Sequence, residues 1–350
     1  MLRRLLPLVF GALPALALAQ EPLVVWNWND YIAPQILKDF EKETGTPIQY
    51  HTFSSMEELE QALQSGEPID IAVPSHDRLP LLIKAGRLQP LSPDQLSNRG
   101  HLDKTILSKL AAFDPKNQYA IPYLWGAIGL AVNTPMTDAA LGGSTPQSWS
   151  LLFDPEQSAK LAGCGISLLD SSNETMAILL NYQGRTLARS SPKQLQRAGD
   201  VLNALRPKLR YIDSERYISD LSNGKLCLSV AWIGDALAAA DSGQPVSFIV
   251  PEEGSTLFID NMVIPSTSKQ PALAHRFIDY MLRPQVAALL SSEVLYPNPN
   301  KDSGAFMDDN LRLQLTQVDE AKRRLFALEP LPDKLENAKE KVWTDFKGSL

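Results

Sequence analysis

An aromatic ring close to a carboxylate recurs along this chain, and that pair of side chains suits one kind of ligand. Trp28, Asp30 and Tyr31 stand together in Trp26-Asn27-Trp28-Asn29-Asp30-Tyr31. Trp232 shortly precedes Asp235 in Trp232-Ile233-Gly234-Asp235. Phe258 and Asp260 have the i, i+2 spacing that puts both side chains on one face of a strand. Tyr296 lies in the loop Leu295-Tyr296-Pro297-Asn298, and Asp77 and Glu174 each follow a strand-like run near a helix start. Aromatic faces are electron-rich and carboxylates carry a full negative charge, so together they attract a cation. Each residue also has an ordinary alternative: the aromatic rings as core or loop packing, and Asp30, Glu174 and Asp235 as helix caps. Recurrence at strand ends in both halves of the chain favours a single cation-binding cleft.

Other chemistries lack their signatures. The sequence has no G-x-S-x-G elbow, no P-loop and no H-E-x-x-H. Gly163-Cys164-Gly165 lacks a third glycine and precedes a strand, the wrong order for a dinucleotide fingerprint. The four histidines, His51, His76, His101 and His275, are scattered without metal-ligand spacing, and His76 reads as a surface residue. The chain therefore reads as a non-enzyme with no cofactor and no metal site. The enzymatic alternative, a secreted hydrolase, has neither nucleophile nor metal motif.

Residues 1–19 have the form of a secretory leader. Arg3 and Arg4 make a basic start, residues 5–16 an apolar run too short to span a membrane, and Ala17-Leu18-Ala19 a small-x-small cleavage site. No cysteine follows the cut, which argues against a lipid anchor, and the mature protein is expected to be soluble and exported. The formal charge of −7 makes nucleic acid and anionic membranes poor partners and is compatible with a cationic ligand. The 26 prolines and 19 glycines are spread along the chain, as in a folded rather than low-complexity sequence. Cys164 and Cys227 are the two cysteines. In an oxidising compartment an even pair favours a disulfide, with two buried thiols as the alternative.

Strand and helix patterns alternate from residue 22 onward, giving an α/β expectation with parallel βα units. Strands are expected at 23–26, 48–52 and 69–73, with helices beginning at Pro34, at Met56 behind the capping box Ser55-x-x-Glu58, and at Arg78. The stretch 119–133 reads as extended and leaves the first lobe. Strands at 165–169 and 226–230 follow, with helices at 175–182, 193–205, 214–223 and 235–240. Residues 246–250 read as a return crossing and 258–264 as a strand rejoining the first lobe. Helices are then expected at 271–282, 284–290, 320–328 and 333–347. The predicted division is one lobe from 20–125 and 249–302 and a second from 126–248 and 303–350, hinged around a cleft.

With these residues assembled, the chain resembles the periplasmic polyamine receptors of putrescine/spermidine ABC importers. The resemblance rests on residues 27–34, 40–45, 73–75, 121–123, 217–224 and 232–235, in the family's order across both lobes. It implies the type II periplasmic binding protein fold, a polyamine ligand, permease subunits in the inner membrane as partners, a periplasmic location and a monomer. It is similar above all to the putrescine-type branch, whose paired cysteines correspond to Cys164 and Cys227. It places ring walls at Trp28, Tyr31, Trp232, Phe258 and Tyr296, and ammonium partners at Asp30, Glu174, Asp235 and Asp260. Asp77 replaces a small hydroxyl residue usual in that branch, Asn29 replaces a serine, and Pro297 and Pro299 stiffen a loop that usually carries small residues. Asp77 is expected to accept a third ammonium or to pair with Arg78. Another diamine or agmatine, or a role as ligand-presenting partner of a sensory receptor, are the alternatives.

Overall fold

The computed structural model describes residues 21–348; the leader and its cleavage after Ala19 lie outside the described residues. The strands are β1 (Leu23–Trp28), β2 (Ile48–Phe53), β3 (Ile71–Ala72), β4 (Ala120–Asn133), β5 (Ile166–Leu168), β6 (Leu209–Ile212), β7 (Leu228–Trp232), β8 (Val246–Ile249), β9 (Ser255–Val263) and β10 (Leu325–Ala327). They run in the order β2-β1-β3-β9-β4-β7-β5-β6, with β10 beside β9 and β8 beside β4. β1 is parallel to β2 and β3, and β5 is parallel to β6 and β7, as the alternating pattern requires. Among the described residues no helix is long and apolar enough to cross a membrane.

β4 joins two half-sheets. Residues 120–127 pair antiparallel with β9, whereas Ile128–Val132 pair with β7 and Leu130–Asn133 with β8. Every residue of this fourteen-residue strand is buried, which is why its sequence is a nearly unbroken apolar run. Pro122 cannot donate to a ladder, and the register with β9 shifts between Pro122 and Leu124. Gly126 and Gly129 are dictated by space: a Cβ would lie 2.4 Å from the Phe258 ring in the first case and 2.5 Å from the Ile249 carbonyl in the second.

Several helices begin where their caps predict. Ser55 accepts the Glu58 N–H at 3.3 Å, while the Glu58 carboxylate reaches the N–H of Ser54 rather than closing the box on Ser55. Two expectations are corrected. Residues 320–328 are not a helix: helix Asp309–Ala321 ends in the turn Lys322–Arg324, and Leu325–Ala327 pair in parallel with Ser255–Leu257. Pairing with an existing strand outweighs a helical pattern in a segment this short. β6 was not anticipated, because the half-buried run Leu209–Ile212 carries little alternation of its own.

Helix Asp333–Gly348 buries Leu335, Lys339, Val342, Trp343 and Phe346, packing on helices Pro192–Leu205 and Ser172–Tyr182. Cys164 and Cys227 form a disulfide with Cα atoms 5.5 Å apart, just before the paired strands β5 and β7. The sequence separation of 63 makes the bridge a substantial constraint on the unfolded chain. Replacing both cysteines by serine is expected to remove about 4 kcal/mol of stability, checked by denaturant unfolding of both proteins under oxidising conditions. An unchanged midpoint would contradict that role.

Candidate functional site

All ten side chains singled out from the sequence line one cleft cavity of about 840 Å³. Trp28 closes β1, with Asp30 and Tyr31 in the loop that follows. Asp77 lies in the short turn His76–Arg78 beyond β3. Glu174 is the third residue of helix Ser172–Tyr182, and Asp235 the third of helix Ile233–Asp241, directly after Trp232 ends β7. Phe258 and Asp260 share the cleft face of β9, and Tyr296 follows helix Pro284–Val294. None of the three proposed caps is one: Ala33, Ser171 and Trp232 hold the N-cap positions.

The loop after β1 is tied down from beneath. Asp30 has φ of 51°, a left-handed conformation that aspartate tolerates better than most side chains. The Tyr31 carbonyl accepts from the Tyr123 hydroxyl at 2.6 Å and from Asn27 Nδ2 at 3.3 Å. Tyr31 thereby joins a row of edge-on rings: Tyr31 to Tyr296 at 5.8 Å, Tyr296 to Phe258 at 5.7 Å, and Phe258 to Trp232 at 5.3 Å. Trp28 instead leans on Phe53 at 4.6 Å. Tyr296 fits only because Gly234 is bare, since a Cβ there would sit 2.3 Å from its ring.

The carboxylates in this cleft are held by hydroxyls. Asp260 is 5% exposed and accepts from Ser75 Oγ at 2.5 Å and from the Tyr31 hydroxyl at 2.9 Å. Burial, with a contribution from Asp77, pushes its carboxyl up to about 6, although Ser75 and Tyr31 oppose the shift. Asp235 accepts from the Tyr217 hydroxyl, and burial raises its carboxyl above the usual range. Glu174 accepts from Ser171 and is likewise raised, mainly by burial. The phenols of Tyr31 and Tyr296 are pushed well up, so they remain neutral donors. Three desolvated carboxylates facing aromatic walls are arranged to receive positive charge.

Asp77 stands 3.5 Å from Arg78 Nε, and Arg78 also reaches Glu57 at 3.3 Å. His76 corrects its surface expectation: it is 4% exposed, its Nδ1 accepts the Ile259 N–H at 3.3 Å, and its ring meets Phe113 edge-on at 4.6 Å. Ser75 and Tyr217 were missed as site residues. Both lay in stretches already singled out, but only the fold shows which carboxylate each hydroxyl serves.

Two α/β halves joined through a shared long strand, with a charged cleft lined from both, define a two-lobed, hinged solute-binding protein. The chain belongs to the bacterial extracellular solute-binding protein family, whose model matches residues 35–311. It is 40% identical over 341 residues to a putrescine/agmatine-binding protein of Pseudomonas aeruginosa, covering 94% of this chain and 92% of that one. It is 37% identical over 357 residues to the putrescine-binding periplasmic protein PotF of Escherichia coli, covering 97% and 96%. The spermidine/putrescine ABC transporter substrate-binding protein PotD of Streptococcus pneumoniae superposes with a TM-score of 0.85 at 28% identity, covering 94% of this chain and 99% of that one.

The raised Asp260 carboxyl has a testable sign. Its folded-state value near 6 exceeds the ordinary carboxylate value, so its contribution to stability is full below about 4 and is lost as pH rises through 6. Asp260→Asn should therefore melt higher than the parent in ligand-free protein at pH 8, by up to about 3 kcal/mol, with the advantage gone at pH 4. An advantage independent of pH would contradict the assignment. Gly234→Ala should force Tyr296 aside at a cost of about 1–3 kcal/mol, read in thermal unfolding and in an enlarged radius of gyration by X-ray scattering. Unchanged stability and scattering would show that Tyr296 does not rest there.

Proposed function

We propose that this protein captures a polyamine, putrescine or spermidine, in the cleft and delivers it to the permease subunits of an ABC importer. The observation that carries the proposal is the set Asp260, Asp235 and Glu174, three carboxylates raised by burial inside a wall of aromatic rings. An ammonium stripped of water loses several kcal/mol unless it is paired, and a buried carboxylate has the same need. A flexible diammonium chain meets both: its ends neutralise carboxylates, and its methylenes lie against Trp232, Phe258, Tyr296 and Tyr31. Each ring adds roughly 0.5–2 kcal/mol of cation–π attraction. The names of the relatives support this ligand class and a periplasmic receptor; the proposal takes it to act by binding alone, as an exported monomer.

The proposed lobes are 20–125 with 249–302, and 126–248 with 303–350. β4 changes partners between Ala127 and Ile128, two residues past that division, which supports a boundary in this part of the strand. Because the cleft is lined from both sides, ligand contacts favour the closed form by their difference between open and closed states.

Isothermal titration of refolded, ligand-free protein with putrescine, cadaverine, spermidine, spermine and agmatine tests the function. One-to-one binding with Kd of about 10 µM or tighter is expected for putrescine or spermidine. No heat with any amine, from protein shown to be folded, would overturn it. Asp77 adds a carboxylate at the cleft, and Asp77→Ser should lower the spermidine-to-putrescine affinity ratio by about fivefold. An unchanged ratio would leave Asp77 as a partner of Arg78 alone.

A further inference from the structure

Lys339 is a charged side chain with no exposure at all. It projects from helix Asp333–Gly348, where its Nζ donates to Asn173 Oδ1 and to Glu336 Oε1 at 2.8 Å and lies 3.2 Å from Glu340 Oε1. The same Glu340 oxygen accepts from Ser172 Oγ at 2.5 Å. Ser172 and Asn173 are the first two residues of helix Ser172–Tyr182, and Glu174 is the third. Both residues immediately before Glu174 are thus tied to the C-terminal helix, one through Lys339 and the other through its partner Glu340. Asn173, Glu174 and Glu336 all line the cleft.

We propose that Lys339 is a positioning residue for the ligand site: it fixes the first turn that presents Glu174 and sets a positive charge near that carboxylate. The inference rests on the proposed cationic ligand only for what Glu174 receives. Stability alone does not explain the residue, because a buried ammonium is expensive to desolvate and a methionine of similar volume is often neutral or better in its place. The groups acting on Glu174 come from three directions. Ser171 donates to it from the N-cap of its helix, Lys339 acts from the C-terminal helix, and Asp77 opposes from the turn after β3. Burial raises the Glu174 carboxyl most, and Ser171 and Lys339 draw it back.

Lys339 also repels a bound cation directly, and the two effects have opposite signs. If repulsion dominated, removing Lys339 would tighten polyamine binding. If positioning dominates, removal loosens it. Lys339→Met leaves no buried orphan charge, since the Glu336 and Glu340 side chains are 43% and 49% exposed and can turn to water.

The test has two readouts. In ligand-free protein, carbon-detected titration of the Glu174 carboxyl should show its midpoint rising by about one pH unit in Lys339→Met and returning in Lys339→Arg. By isothermal titration at pH 7, Lys339→Met should bind the tightest polyamine about tenfold more weakly. An unchanged midpoint, or affinity equal to or tighter than the parent's, overturns the proposal. If no amine binds the parent, the polyamine reading fails and the ligand-free midpoint alone decides the role of Lys339. If Lys339→Met does not fold, Ser172→Ala cuts the Glu340 tie from outside the cleft lining. A drop of about threefold in affinity is then expected, and full affinity overturns the proposal.

Discussion

The burial of Asp260 constrains the rest of the site. A carboxylate with 5% exposure in an apolar cleft is tolerable only if its oxygens are occupied, and two elements are placed to occupy them. Ser75 arrives from the turn after β3 and Tyr31 from the loop after β1, each donating a hydroxyl to one oxygen. Hydroxyl donors satisfy geometry without cancelling charge, so the site keeps its negative potential. The choice of Tyr31 has further consequences. Its ring must lie beside Tyr296, and its loop must be pinned through Tyr123 and Asn27, so one hydrogen bond propagates into β4 and β1.

The second half of the cleft repeats the device with different parts. Asp235 and Glu174 are both third residues of helices that begin at the cleft, where the positive end of the helix dipole favours a carboxylate. Tyr217 and Ser171 supply the hydroxyls. A hydroxyl-held carboxylate is therefore the repeated local solution, carried by strand β9 in one half and by the first turns of two helices in the other.

Much of this was legible in the sequence for a physical reason. Buried strands of a parallel sheet are short apolar runs, and the ligand crevice of such sheets lies at the strand ends, so Trp28, Trp232 and Asp235 could be placed from position alone. Phe258 and Asp260 followed from the two-residue step of a strand. The failures share a cause as well. β10, the hydroxyl partner Ser75 and the burial of His76 depend on segments far apart in the chain, and Tyr217 reaches Asp235 only because β7 returns between them. His76 meets Ile259 across 183 positions, and no local pattern encodes such a contact. Lys339 was invisible for the same reason, since a lysine in an amphipathic helix ordinarily faces water.

The Cys164–Cys227 bridge lies wholly on one side of the place where β4 changes partners, just ahead of β5 and β7. A covalent tie in that position stiffens one rigid body and spans no moving joint. Reduction of that bridge would thus weaken one half from within, while the freedom of the halves to part and meet is left to weaker, reversible forces.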